Sequence, residues 1–260
     1  MRCSEVLDKL EALTPVSFAE DWDNVGLLCG RMDRDIKCIL LAVDATDSVI
    51  TQAVEESADL LITHHPLIFS PLKRITNRDF IGRRILNLIE NDICYYAMHT
   101  NFDVMGMADA VADEIGLKGR EVLSITYEDE ISKEGIGRIG RLPQIMTLDE
   151  CATLCKRVFQ LENVRVYGDG QNTVEKAALV PGSGKDYIET AIEKNADVLI
   201  TGDITHHTGI DAVMQGISLI DAGHYGIEKI FVPYMKEVMK RELPGIRVIE
   251  ALKEEPFHII

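Results

Sequence analysis

Apolar positions along the chain recur with two periods. Residues 38–43, 60–62, 93–98, 176–180, 198–200 and 217–220 form short, nearly unbroken apolar runs. Such runs predict strands covered on both faces, as in a parallel sheet. Between them the spacing becomes helical. Val6, Leu7, Leu10 and Leu13 share one face, as do Val49, Ile50, Ala53 and Val54, and then Ile81, Ile85, Leu88 and Ile89. Helices are also expected around residues 108–115, 151–158 and 185–194. Thr147 with Glu150 three residues on reads as a capping box. Residues 136–142 predict an edge strand ending at Pro143. The alternation of strand and helix predicts an α/β fold built from β-α-β units with right-handed crossovers.

The pattern repeats. Residues 58–63, Ala-Asp-Leu-Leu-Ile-Thr, return at 196–201 as Ala-Asp-Val-Leu-Ile-Thr, changed only apolar for apolar, at a spacing of 138 residues. That spacing is about half of the 260-residue chain. Two related α/β halves follow, 1–126 and 127–260, with C-terminal elements able to pack on the first half. The acidic, then Gly-rich stretch 127–137 is the expected boundary.

The halves differ at their strand ends, where open α/β sheets place ligands. The first repeat ends in Thr63-His64-His65-Pro66, the second in Thr201-Gly202-Asp203. The following strands lead into His99-Thr100-Asn101-Phe102-Asp103 and into Gly223-His224-Tyr225-Gly226-Ile227-Glu228. His99 with Asp103, and His224 with Glu228, are four apart, a spacing that places two side chains on one helix face. Each alone also reads as a helix-start histidine beside a surface acid. Together they fit one asymmetric site between the halves. The three imidazoles of His64, His65 and His224 with the two carboxylates of Asp103 and Glu228 suit zinc, iron, manganese or cobalt. Five protein ligands exceed the three of a usual catalytic zinc, so two ions about 3.5–4 Å apart are expected. Asp44, at the end of the strand before the histidine pair, Asp203 and His99 are candidates for proton transfer or for holding the ligands. His206 and His207 read as solvated or near-site groups. Trp22, the one Trp, lies among acids and is expected to pack a structural turn.

Composition narrows the partners. A formal net charge of −16 repels phosphate backbones, so non-specific nucleic-acid binding is not expected. No apolar run is long enough to span a membrane and no signal-peptide pattern opens the chain. The six cysteines include no Cys-x-x-Cys pair and read as thiols in a reducing, cytoplasmic setting. No Gly-x-Ser-x-Gly motif is present, and Gly182-Ser183-Gly184 lacks the lysine placement of a P-loop.

Trp22-Asp23-Asn24-Val25-Gly26-Leu27, Thr63-His64-His65-Pro66, His99-Thr100-Asn101-Phe102-Asp103, Thr201-Gly202-Asp203 and Gly223-His224-Tyr225-Gly226-Ile227-Glu228 occur in one order along the chain. In that order they resemble the Ngg-interacting-factor-three-like family, whose bacterial members are called GTP cyclohydrolase 1 type 2 homologues. The resemblance covers nearly the whole chain. It implies two related α/β domains and a homohexameric ring with sites facing an internal cavity. It also implies two divalent metal ions held by His64, His65, Asp103, His224 and Glu228, with Glu228 as the bridge. His99 and His207 match positions near that site. The chain matches the short form, without the domain inserted between the halves of some relatives. A metal-dependent hydrolase using a metal-activated water follows, with a small molecule such as a nucleotide as substrate. GTP cyclohydrolase chemistry is one version of it. The alternative is a metal-holding regulatory or scaffold ring without turnover.

Overall fold

The computed structural model of the chain describes residues 1–253, 255 and 257–259. In chain order the principal elements of the first part are α1 (Cys3–Leu13), β1 (Gly26–Cys29), β2 (Cys38–Ala42), α2 (Asp47–Glu55), β3 (Leu60–Thr63), α3 (Phe80–Glu90), β4 (Cys94–Ala97) and α4 (Thr100–Phe102). A π-helical turn (Asp103–Met107) leads into α5 (Ala108–Ile115), β5 (Lys118–Glu128), β6 (Lys133–Thr147), α6 (Leu148–Val158) and β7 (Arg165–Tyr167). The last part holds β8 (Thr173–Ser183), α7 (Ile188–Glu193), β9 (Val198–Gly202), α8 (His206–Met214), β10 (Ser218–Asp221), α9 (His224–Glu228), α10 (Phe231–Glu242) and β11 (Arg247–Glu250). No helix among the described residues is long and apolar enough to cross a membrane.

The chain forms two compact units, one of Met1–Phe102 with Phe231–Ile260 and the other of Asp103–Ile230. The stretch 127–137 lies within the second of these units. Its acidic residues Asp129 and Glu130 lie in the tight turn between β5 and β6, where Asp129 Oδ1 accepts the N–H groups of Ile131 and Ser132, while Gly135 and Gly137 lie within β6. Such side-chain to backbone bonds are how Asp closes a turn. Polar, Gly-rich composition marks hairpins as readily as linkers.

In the first unit the sheet order is β1-β4-β3-β2-β11. Strands β4, β3, β2 and β11 run parallel, and β1 pairs antiparallel at the edge. Every residue of β2, β3 and β4 is buried, as unbroken apolar runs require. Helices α2 and α3 cover one face, with Val49, Ile50, Ala53, Ile85 and Leu88 against Leu40, Ala42, Leu61, Tyr95 and Ala97. Burying a large aliphatic side chain contributes about 1.5–3 kcal/mol. Thr46 caps α2 by accepting the Val49 N–H, and Asp79 caps α3 by accepting that of Gly82. Strand β11 brings the end of the chain back beside β2.

In the second unit the order is β5-β6-β8-β9-β10-β7. Strands β8, β9 and β10 are parallel and the other pairings antiparallel. Strand β6 is longer than expected and not an edge, because β5 lies outside it. Pro143 sits inside β6 where the pairing with β8 is interrupted between Arg141 and Met146, so no ladder bond is lost to it. The expected helix over 185–194 is split into a 3-10 turn at Lys185–Tyr187 and α7. Arg138 of β6 is buried and grips Asp109 of α5 with both arms of its fork, at 3.1 and 2.7 Å. It also donates to the carbonyls of Gly135, Gly137 and Val104.

The strand order β1-β4-β3-β2 of the first sheet matches β7-β10-β9-β8 of the second in sequence and direction. The register matches too, with Ile39 beside Leu60 in one and Ala177 beside Val198 in the other.

Candidate metal centre

Each strand end in the first unit supplies one piece of a histidine cluster. The backbone of His64 and His65 continues the β3–β2 ladder by donating to the carbonyls of Ala42 and Val43. Pro66 then ends the ladder. His64 is fully buried, and its Nδ1 lies 2.8 Å from the Met98 carbonyl, just past β4. A carbonyl only accepts, so Nδ1 carries the proton and Nε2 presents its lone pair. His65 Nδ1 lies 2.8 Å from Asp44 Oδ1, past the end of β2. His99 Nδ1 lies 2.9 Å from Asp23 Oδ1. The His64 ring centroid is 4.8 Å from that of His65 and 5.2 Å from that of His99. One ligand atom from each of the three lies within 4.8 Å of the others. Phe102 and Phe231 flank His64, with centroids 6.4 and 5.5 Å away, and line the cluster with apolar surface.

The turn before β1 is held differently from expectation. Trp22 is 57% exposed and does not pack it. The anchor is Asp23, whose side chain is fully buried. It accepts from His99 Nδ1, from the Thr100 N–H at 3.0 Å, from the Thr100 hydroxyl at 2.5 Å and from the Asn24 N–H at 2.8 Å. Burial opposes ionisation of this carboxyl, but the bonds from His99 and Thr100 outweigh it and hold the group at about 2.

In the second unit the ligand candidates come from the end of β10 instead. His224 opens α9 and Glu228, buried, closes it one turn later. His224 Nδ1 lies 2.8 Å from Asp203 Oδ2, and His224 Nε2 lies 3.0 Å from Glu228 Oε2. Asp203 holds a left-handed backbone at φ 59°, which Asp tolerates better than most residues. Asp103, half-buried, begins the π-helical turn, an element found mostly at functional sites.

Glycines make this arrangement fit. By the 138-residue spacing alone, Gly182 falls at the sequence position of Asp44 and Gly202 at that of His64; a register shift between Leu179 and Ser183 sets Ser183 beside Gly202. A Cβ at Gly182 would lie 2.3 Å from Glu228 Oε1, and one at Gly202 would lie 2.5 Å from the His224 backbone nitrogen. The second half gives up side chains at two strand ends so that α9 can approach them.

The donor set fits a divalent metal. His64, His65 and His224 each have Nδ1 held by an oxygen acceptor. This is the usual way a metal-binding imidazole is fixed in tautomer and direction. With Nδ1–H of His224 given to Asp203, its Nε2 faces the Glu228 carboxylate as acceptor to acceptor. Such a pair is stabilised by a proton or by a cation. Two donors bound to one ion at about 2.1 Å lie roughly 3.0–3.4 Å apart, and this pair is 3.0 Å apart. Asp44 and Asp203 therefore act here through the histidines they hold. His206 and His207 open α8, are exposed, and face each other with ring centroids 5.3 Å apart. Among the described residues neither joins a metal-sized group.

The family model for Duf34/NIF3 (NGG1p interacting factor 3) matches residues 1–256. The chain belongs to the Duf34/NIF3 family. One relative of this Duf34/NIF3 chain is the GTP cyclohydrolase 1 type 2 homolog of Clostridium perfringens. It is 36% identical over 264 residues, covering 100% of both chains. Among solved structures, a Bacillus cereus protein related to NIF3 superposes with a TM-score of 0.91 at 25% identity, over 100% of this chain and 99% of that one. Reduced HcgD from Methanocaldococcus jannaschii superposes with a TM-score of 0.83 at 32% identity, over 96% and 98%.

Sequence reasoning missed Asp23, whose partners lie 76 and 77 residues away, and the two glycines. The motif around Trp22 contains Asp23, and its position before a buried turn was the only local signal. His99 was expected near the ligands, and the structure groups it with His64 and His65.

Proposed function

We propose that His64, His65, Asp103, His224 and Glu228 together hold two divalent metal ions, with Glu228 bridging, and that the protein is a metal-dependent hydrolase. The observation that carries this reading is the shared state of the three histidines. Each has Nδ1 engaged by an oxygen at 2.8 Å, which leaves Nε2 as the ligand atom. Bound divalent ions would supply a Lewis acid and bring the pKa of a water from about 15.7 toward about 7.

The protein's own groups supply the rest. Asp44 and Asp203 orient His65 and His224. The aromatic wall of Phe102 and Phe231 keeps bulk water from His64, which strengthens electrostatic interactions there. His99, anchored at Nδ1 by Asp23, takes or gives a proton at Nε2. The substrate is a small polar molecule with a hydrolysable bond, a nucleotide among them, and the working assembly is a homohexameric ring.

Elemental analysis of metal-reloaded protein tests the site. Two ions per chain are expected, with a clear loss in a folded His65→Ala variant, and fewer than one ion per chain overturns the reading. Metal-loaded protein is then assayed against nucleotides, phosphoesters and small amides. Turnover that His65→Ala abolishes supports the hydrolase. Inactivity with stoichiometric metal overturns it in favour of a metal-holding assembly. Elution of the native protein as a monomer on sizing overturns the ring.

A further inference from the structure

Tyr95 lies fully buried in β4, yet its hydroxyl reaches the turn that follows the neighbouring strand β3. The Leu67 N–H donates to Tyr95 Oη at 2.7 Å. Oη lies 2.6 Å from Thr63 Oγ1 and 3.0 Å from the His65 carbonyl. Thr63 Oγ1 donates to that same carbonyl at 2.7 Å. Each hydroxyl has one proton to give. The Leu67 N–H, the Tyr95 and Thr63 hydroxyls and the His65 carbonyl thus form one connected cluster. The clasp runs from residue 63 to residue 67 and brackets His64 and His65. Strand β2 holds the backbone N–H groups of both, at 3.3 and 2.9 Å.

The strand scaffold itself does not call for a phenol. In the first sheet Tyr95 pairs with Leu61; at the same place in the second sheet Leu219 pairs with Leu199. Leu219 is buried and carries no hydroxyl. There Thr201 accepts the Gly184 N–H at 2.8 Å and donates to the Gly182 carbonyl at 3.2 Å, and Gly202-Asp203 follow instead of histidines. The phenol accompanies the histidine pair and is absent from the copy that lacks it.

We infer that Tyr95 is a positioning residue for His64 and His65, its hydroxyl fixing the turn that aims both imidazoles and so setting how tightly the protein binds metal. The inference rests on the metal reading above. Zinc affinity of the full chain is measured by competition with a chromophoric chelator, with folding followed by circular dichroism. Tyr95→Phe keeps the ring and removes the clasp, and a 10–100-fold weaker affinity is expected, the range seen for partners that orient metal ligands. Tyr96→Phe is the control. It removes a hydroxyl 3.3 Å from Glu11 Oε1 in the same strand, and the affinity should stay within about twofold of the parent. Thr63→Val should repeat the loss and Thr63→Ser should restore it, which decides the matter if Tyr95→Phe does not fold. Parent-like affinity in Tyr95→Phe, or an equal loss in Tyr96→Phe, overturns the inference alone. Failure of the parent protein to take up zinc overturns the metal reading and this inference with it.

Discussion

Asp23→Asn isolates the anchor beneath His99. The carboxyl is held at about 2 against an ordinary value of 3.8. At about 1.4 kcal/mol per pH unit, that difference contributes roughly 2 kcal/mol of stability at neutral pH. The side chain is fully buried, so solvent screening removes little of it. Because the folded value is the depressed one, the contribution is complete above about pH 4–5. It declines as pH falls through 3 and is gone below about 2. The Asn amide keeps one oxygen but turns an NH2 toward donors, since His99 Nδ1, the Thr100 N–H and the Thr100 hydroxyl all point at this group. Asn should therefore cost about 2–4 kcal/mol at pH 7. Trp22 is the only Trp in the chain, adjacent to Asp23, and its ring centroid is 5.8 Å from that of His99. Urea unfolding of chelator-treated protein followed by Trp22 fluorescence reports this region directly. The gap between parent and variant should narrow to below about 1 kcal/mol near pH 2.5. A gap under 0.5 kcal/mol at pH 7, or one that does not shrink with acid, refutes an ionised, hydrogen-bonded Asp23; both thresholds are about the resolution of such measurements.

Two further substitutions probe the second unit. Gly182→Ala places a Cβ 2.3 Å from Glu228 Oε1 at a backbone φ of +67°, whereas Gly119→Ala, at φ +55° with nothing within 4 Å, meets the backbone strain alone. Both should lose about 1–2 kcal/mol from left-handed strain, and only Gly182→Ala should also weaken zinc binding in a competition titration. Arg138→Met should cost about 3–5 kcal/mol in urea unfolding, because it removes the charge that pairs with Asp109 and the donors to three carbonyls. Arg138→Lys should recover only part of it, since an ammonium lacks the planar fork.

What was legible in the sequence is what depends on near neighbours. Thr63-His64-His65-Pro66 announces itself because an unbroken apolar run ends in imidazoles and a proline within a few residues. His224 and Glu228 follow from one turn of helix. The parallel runs of both sheets follow from their lack of alternation. What was not legible depends on partners far along the chain. Asp23 has its ionisation set by Thr100 and His99. Strand β11 is four residues with no strong pattern and exists because β2 offers an edge about 200 residues earlier. The turn at 129–132 is a related case, since Asp129 marks a chain reversal without saying whether the next strand belongs to the same sheet. The π-helical turn from Asp103 to Met107 has no composition signal that separates it from an ordinary helix start.

The two halves show why a shared scaffold yields unlike ends. In the first, β3 ends in His64 and His65, and Asp44 on the adjacent strand end is needed to hold one of them. In the second, Gly182 and Gly202 lie where a Cβ would strike α9. A strand end that carries large side chains excludes a close helix, and a strand end stripped to glycine admits one. Orienting carboxylates follow the same rule. Asp44 reaches His65 from a neighbouring strand end, and Asp203, just past the end of β9, reaches His224. The held imidazoles come from the ends of β3 and β4 in the first unit and from α9 in the second. Two sheets of like strand order thus carry unlike side chains at their ends.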